Sequence, residues 1–261
     1  MDILSEIVAS KKEEVAKQKE LYPVKLLETS TYFEAKPVSL RKYIQRADKS
    51  GVIAEIKRKS PSKGVINKHV SIERTSIGYM QAGASGLSIL TDKNYFGGSA
   101  EDLKEARSFN YCPILRKDFM IDEYQVIEAK SIGADVILLI AAVLSKQEIE
   151  NLGSLAKSLG MEVLLEVHDE AELNNSITHK VDLIGVNNRN LKTFETDINT
   201  SKNLVGSIPN DFVKVAESGL HSPEIVNELK SVGFEGFLIG ESFMKSGRPE
   251  RAAKEFISRV G

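Results

Sequence analysis

The chain has 261 residues, 41% hydrophobic and 28% charged, with 35 Lys and Arg against 37 Asp and Glu for a net charge of −2. Those proportions belong to a globular protein with a sizeable core, and they offer nucleic acid no general attraction, so any basic site must be local. One cysteine, Cys112, excludes an internal disulfide and fits a reducing compartment; it opens an apolar run before Pro113 and reads as a buried structural thiol.

Residues 2–20 place Ile3, Leu4, Ile7, Val8 and Val15 at helical spacing with a charged opposite face. Acidic and basic residues are mixed and aromatics absent, so this helix is expected to dock on its own domain and not on a membrane. No secretory signal is present, because residues 1–20 carry charge throughout. The longest apolar run, Val136–Leu144, is far shorter than the roughly 20 residues of a spanning helix, and the chain reads as cytoplasmic. Residues 21–50, with Pro23, Pro37 and a short helix at 40–47, read as a connector, so 1–50 forms an N-terminal extension packed on a domain at 51–261.

From residue 51 the chain alternates. Strand-like runs stand at 52–57, 86–91, 112–117, 135–141, 161–167, 182–187, 212–217 and 235–240. Helical patterns lie between them, among others at 71–82, 122–131, 145–159, 222–232 and 249–260. Gly83, Gly133, Gly160 and Gly233 follow helices as left-handed terminators. Runs rich in Val, Ile and Leu without polar alternation suit a parallel sheet covered on both faces. Eight strand–helix units select an α/β fold, the closed (β/α)8 TIM barrel; a doubly wound open sheet commonly uses five or six strands and leaves the surplus unexplained.

Barrel enzymes work at the carboxyl ends of their strands. In VIAEIKRKSPSKG (52–64), Ile53, Glu55 and Lys57 share one face, and the loop beyond offers Lys59, Ser60, Ser62, Lys63 and Gly64. Lys117, Glu166 and Glu217 close the third, fifth and seventh strands, and alternate strands contribute to one interior layer, so two lysines and several carboxylates are expected to converge. Gly219 after the seventh strand and Gly240 after the eighth, opposite the SPSKG loop, suit an anion. Phe96 and Phe119 are loop aromatics, equally suited to packing under a loop and to touching an aromatic ligand. The four histidines lack metal-ligand spacing, and His168 reads as a solvated loop residue.

The strings AEIKRKSPSKG, SILTDKNYFGG, ILRKDFMID, LLEVHDE, GVNNRNLKTF, VAESG and FLIGESFM, one per strand and in this order, resemble the indole-3-glycerol-phosphate synthase family of tryptophan biosynthesis. The resemblance implies a carboxy-lyase that converts 1-(2-carboxyphenylamino)-1-deoxyribulose 5-phosphate to indole-3-glycerol phosphate, CO2 and water, with no metal or organic cofactor. It implies that Lys117 is a general acid at the ribulose C2 oxygen and that Glu166 serves the acid–base steps of dehydration. Lys57 either anchors the substrate or acts as a second acid; Glu55, Asn187 and Glu217 orient these groups, with Arg189 nearby. Ser60, Lys59, Ser218, Gly219, Gly240 and Glu241 fall at phosphate-end positions, and Phe96, Phe119 and Leu138 at the wall around the anthranilate ring. Asn190 departs from the acid usual there. The implied partner is a small phosphosugar–anthranilate substrate, with no nucleic acid or membrane and a monomeric chain.

The chemistry agrees. Closing the ring needs an aromatic carbon to attack a ketone, which a protonated oxygen makes electrophilic, and a second ammonium nearby would lower the donor's pKa. Two rivals remain. A related phosphosugar barrel, the phosphoribosylanthranilate isomerase, wants a Cys/Asp acid–base pair, and the lone cysteine opens the third strand instead of closing the first. A non-catalytic phosphometabolite-binding module would not need titratable groups at four strand ends.

Overall fold

Short runs of Val, Ile and Leu become parallel strands when both faces are covered, and here all eight do. The computed structural model, which describes residues 3–261, gives β1 (Val52–Ile56), β2 (Gly86–Leu90), β3 (Ile114–Lys117), β4 (Val136–Ile140), β5 (Glu162–Val167), β6 (Leu183–Asn187), β7 (Val213–Glu217) and β8 (Gly236–Ile239). Each pairs in parallel with the next and β8 returns to β1, closing the barrel. Every strand begins and ends within two residues of its expected bounds. The largest difference is at β3, where Pro113 has no N–H to give the ladder.

The helices follow the same logic. Ser71, Asp122, Ser145 and Ser222, read from sequence as first helical residues, are N-caps whose side chains accept from backbone N–H groups of the first turn. Gly83, Gly133, Gly160 and Gly233 all have positive φ, as a helix terminator requires. Helices at Ala100–Phe109, Glu170–Ser176 and Asn199–Leu204 complete the outer ring. The core has two layers. Val52, Ala54 and Ile56 of β1 face the helices, while Ile53 joins Leu115, Leu138, Leu164, Val215 and Leu238 inside the barrel.

The N-terminal segment is bound to this frame at many points. Helix α1 (Ile3–Leu21) buries Ile7, Lys11 and Val15; Asp2, included in the helix expected at 2–20, lies outside the described residues. The helix Leu40–Ile44, shorter than the expected 40–47, puts Leu40 and Ile44 into the interior cluster and stoppers the amino-terminal end of the barrel. A Cβ on Gly86 would lie 2.7 Å from Leu40 Cδ1, so glycine there makes room for the stopper. Lys19 reaches Asp122 at 2.7 Å, Val38 N–H donates to Asp135 at 2.8 Å and Arg41 N–H to Glu162 at 3.0 Å. Among the described residues no helix is long and apolar enough to cross a membrane.

Candidate active site

At the carboxyl end of the barrel lies a cavity of about 490 Å3, within the usual size of a small-molecule site. Its floor is ionic. Lys117, the last residue of β3, puts Nζ 2.7 Å from Glu166 Oε2 of β5 and 2.7 Å from Glu217 Oε2 of β7. Alternate strands thus bring their ends to one level, as expected. On β1, Glu55 Oε1 accepts from Lys57 Nζ at 2.5 Å and Oε2 from Ser88 Oγ at 3.3 Å. Asn187 Nδ2 donates to Glu166 Oε1 at 3.0 Å, while its Oδ1 accepts the Arg189 N–H at 3.0 Å, so one amide positions both neighbours.

Two glycines make this crowding possible. A Cβ on Gly185 of β6 would overlap Glu217 Oε1, and one on Gly240 would stand 2.7 Å from Glu55 Oε1. Gly240, expected to leave room for a phosphate, therefore also leaves room for a carboxylate.

The electrostatics differ from the sequence expectation. The Lys117 ammonium is not depressed by a second one, because carboxylates are its nearest charges. Burial alone would lower the Lys117 pKa, but Glu166, Glu217 and Glu55 overcome it and hold the ammonium well above its ordinary value. Burial likewise opposes ionisation of Glu166, yet Lys117 and His168 hold its pKa below the carboxylate range. Glu217 goes the other way: burial and the Glu166 charge outweigh Lys117 and raise it. Of the two carboxyls on Lys117, Glu217 is the one that retains a proton more readily.

An apolar wall stands at one side. Phe96 and Phe119 are tilted by 37° with ring centroids 6.0 Å apart, and both line the cavity with Leu138 of β4. Asp92 Oδ1 accepts from the N–H groups of Tyr95 and Phe96, and Asp118 Oδ1 from the N–H of Phe119. Both aspartates are in turn held by Lys11 of α1, whose Nζ lies 3.0 Å from Asp92 and 2.9 Å from Asp118 and is only 1% exposed. Burial acts to lower the Lys11 pKa, and Asp118, Asp92 and Glu14 raise it beyond the ordinary lysine value. Lys11 is not singled out by the sequence reading, although it stands four residues from both Ile7 and Val15 of the docking stripe. Ile3, Leu4 and Ile7 of the same helix line the cavity, which the docking stripe in the sequence foreshadowed without assigning them there.

The opposite side is polar. Ser60, Ser62 and Lys63 face Ser218, Gly219, Gly240 and Glu241 across the cavity. Ser218 and Gly219 both have positive φ, and a Cβ on Gly219 would lie 2.7 Å from Thr196 Cγ2. Glu241 pairs with Lys245 at 2.7 Å and with Arg189 at 3.5 Å. Burial opposes its ionisation, but Lys245, Lys63 and Arg189 hold its pKa low. His221, Ser242 and Lys245, not singled out from sequence, also line this end.

Two expectations are corrected. Lys59 does not line the cavity: its ammonium donates to the Asn94 carbonyl at 2.6 Å, because the neighbouring Arg58 is clamped to Asp102 and turns the ribbon formed by Lys59–Ser60 and Gly64–Val65. His168 is not solvated; its side chain is 14% exposed and sits between Glu166 and Glu172. Asn190 acts locally, its Oδ1 accepting from the N–H groups of Lys192 and Thr193 to build a turn. Among the described residues no cluster of His, Cys, Asp and Glu could hold a metal ion.

Comparison with known proteins places the chain in a family. Residues 4–256 match the family profile described as indole-3-glycerol phosphate synthase. The chain is 47% identical over 259 residues to an indole-3-glycerol phosphate synthase of Bacteroides thetaiotaomicron, covering 99% of each chain. It is 43% identical over 259 residues to one of Caldanaerobacter subterraneus, covering 99% of this chain and 98% of that one. Among solved structures, a thiamine phosphate pyrophosphorylase from Pyrococcus furiosus is similar with a TM-score of 0.62 at 15% identity, over 85% of this chain and 98% of that one. That likeness concerns the fold alone.

Proposed function

The chain belongs to the indole-3-glycerol phosphate synthase family and performs its decarboxylating ring closure in tryptophan biosynthesis; from that premise we propose which of its residues do the work. The observation that carries the assignment is the Lys117 ammonium, within 2.7 Å of carboxylates from two other strands on the floor of a cavity with an aromatic wall. The anthranilate ring of the substrate lies against Phe96, Phe119 and Leu138. Its phosphate lies at Ser60, Ser218, Gly219, Gly240 and Glu241, the last two through backbone N–H groups, with Lys63 supplying charge. A rigid cavity holding both ends brings the ring carbon against the ribulose C2 carbonyl.

Lys117 protonates the C2 oxygen as the carbon–carbon bond forms. Its raised pKa keeps it loaded at any working pH, and the oxygen it serves is turning into an alkoxide, which is basic enough to take the proton. Loss of CO2 returns the electron pair to the benzene ring. A second protonation, from Lys57 or from a reloaded Lys117, expels the hydroxyl as water, and Glu166 removes the proton from ribulose C1. Glu55, Asn187 and Glu217 hold the acids and bases in register, and Arg189 braces Glu241 at the phosphate end.

The isomerase reading loses its acid–base thiol: Cys112 is buried in the outer layer, and burial pushes its thiol up to about 12. The assigned chain works on its small phosphorylated substrate as a monomer in the cytoplasm, with 1–50 as an extension of the barrel at 51–261, and needs neither nucleic acid nor membrane. Adding the carboxyphenylamino deoxyribulose phosphate should produce indole fluorescence, with inorganic phosphate inhibiting competitively. Gly219→Val should weaken that inhibition about tenfold, since a β-branched residue at positive φ is strained by roughly 1–2 kcal/mol. An unchanged inhibition constant would remove Gly219 from the phosphate end.

A further inference from the structure

The overall reaction has a proton deficit that the residues assigned above do not cover. Expelling the C2 oxygen as water takes up two protons, and forming the indole double bond gives back one from ribulose C1. The departing carboxylate leaves as CO2 and supplies none, so each turnover draws one proton from solvent. Glu166 can return the proton it abstracts. The other must enter a cavity that the substrate itself fills.

Beside Glu166, and not among the residues that line the cavity, stands His168. Its Nδ1 lies 3.0 Å from Glu172 Oε2, which also accepts the His168 backbone N–H at 2.8 Å. The ring is thereby fixed with Nδ1–H as donor, and Nε2 is turned 3.5 Å from Glu166 Oε1. That Nε2 is buried and makes no hydrogen bond of its own, a costly arrangement for a merely structural side chain. We propose that His168 supplies the solvent-derived proton to Glu166, with Glu172 holding the ring in place. This rests on the roles given above to Lys117 and Glu166.

The step moves only protons. The imidazolium Nε2–H passes its proton to Glu166 Oε1 and becomes neutral with Nδ1–H retained. The Glu166 carboxyl turns and gives the proton to the Lys117 amine left by the previous transfer, 2.7 Å away in the resting site. The side chain is 14% exposed, and the neutral ring takes up a solvent proton at Nε2 once product has left the cavity beside it. The charged groups facing it are Glu166, Glu172 and Glu217. Burial acts to lower the His168 pKa, but the Glu172 hydrogen bond and the charges of Glu166, Glu172 and Glu217 outweigh this and raise it above the ordinary histidine value.

The test is steady-state turnover of His168→Gln and Glu172→Gln across about pH 6–9, with and without added imidazole. His168→Gln should lose about 10²-fold in kcat, the low end of acid–base contributions, with KM within about twofold. Imidazole should restore part of the loss in proportion to its concentration, as a small acid replacing the missing one. Glu172→Gln should shift the alkaline decline of kcat to lower pH, and it decides the matter if the first variant does not fold. Turnover of His168→Gln within about twofold of the parent, or a loss that imidazole does not repair, overturns the proposal. Lys117→Met is measured alongside: if its turnover stays within about tenfold of the parent, the general-acid assignment fails instead, which separates the two conclusions.

Discussion

Two lysines in this molecule are caged by carboxylates at nearly the same distances, and they are placed for opposite ends. Lys117 has Glu166 and Glu217 at 2.7 Å; Lys11 has Asp118 at 2.9 Å and Asp92 and Glu14 at 3.0 Å. Both have pKa values raised against their own burial. What separates them is a missing neighbour. Lys117 borders the cavity, whereas Lys11 is sealed between α1 and the loops after β2 and β3. An ion cluster with one open side can hand a proton to a visitor. A closed one can only hold its partners still. Charge clustering by itself therefore does not identify an active site; the open side does.

Breaking each cage should expose the contrast. Lys117→Met should reduce kcat about 10⁴-fold, at the upper end of acid–base contributions, while product binding stays close to the parent's. Turnover within tenfold of the parent would refute the assignment. Lys11→Met should do the reverse, costing about 3 kcal/mol of stability because buried carboxylates lose their counter-charge, with a smaller fall in kcat. Urea unfolding of both variants reads the crossing, and equal stability losses would remove the distinction.

Glu217→Gln sharpens it further. A carboxyl whose folded pKa is raised binds its proton more tightly in the native state. Its contribution is full below the unfolded value of about 4.3 and is lost as pH rises through the folded value. The neutral amide should therefore match the parent near pH 4 and exceed it modestly near pH 8, by about 1 kcal/mol. A variant less stable than the parent near pH 8 would show that the carboxylate form is the stabilising one. The smallest effect is expected for Asn190→Asp, since either side chain can accept the N–H groups of Lys192 and Thr193: about 0.5 kcal/mol or less in stability and kcat/KM.

Strand alternation made the barrel and most of its floor legible. Period-two placement of Glu55, the strand ends at Lys117, Glu166 and Glu217, and the barrel rule for alternate strands together put those groups at one level. What the pattern could not supply depends on distant neighbours. Lys11 stands in step with Ile7 and Val15 on the docking stripe, but its partners appear only when two aspartates from other loops close over it. His168 follows a strand like a loop residue, and only Glu172, one helical turn on, draws the ring inward. Gly185 carries no chemistry in sequence; it matters because Glu217 of the adjacent strand occupies the space its side chain would have filled. The expected lowering of the Lys117 pKa by a second ammonium failed for the same reason, because spacing along the chain does not reveal which opposite charges surround it.

The hold of α1 on Asp92 and Asp118 has a corollary. The loops that carry Phe96 and Phe119 belong to the eightfold repeat, but the lysine that holds their aspartates belongs to a helix outside it. A change in the leading helix would thus reach the aromatic wall through Asp92 and Asp118 while leaving the loops across the cavity untouched.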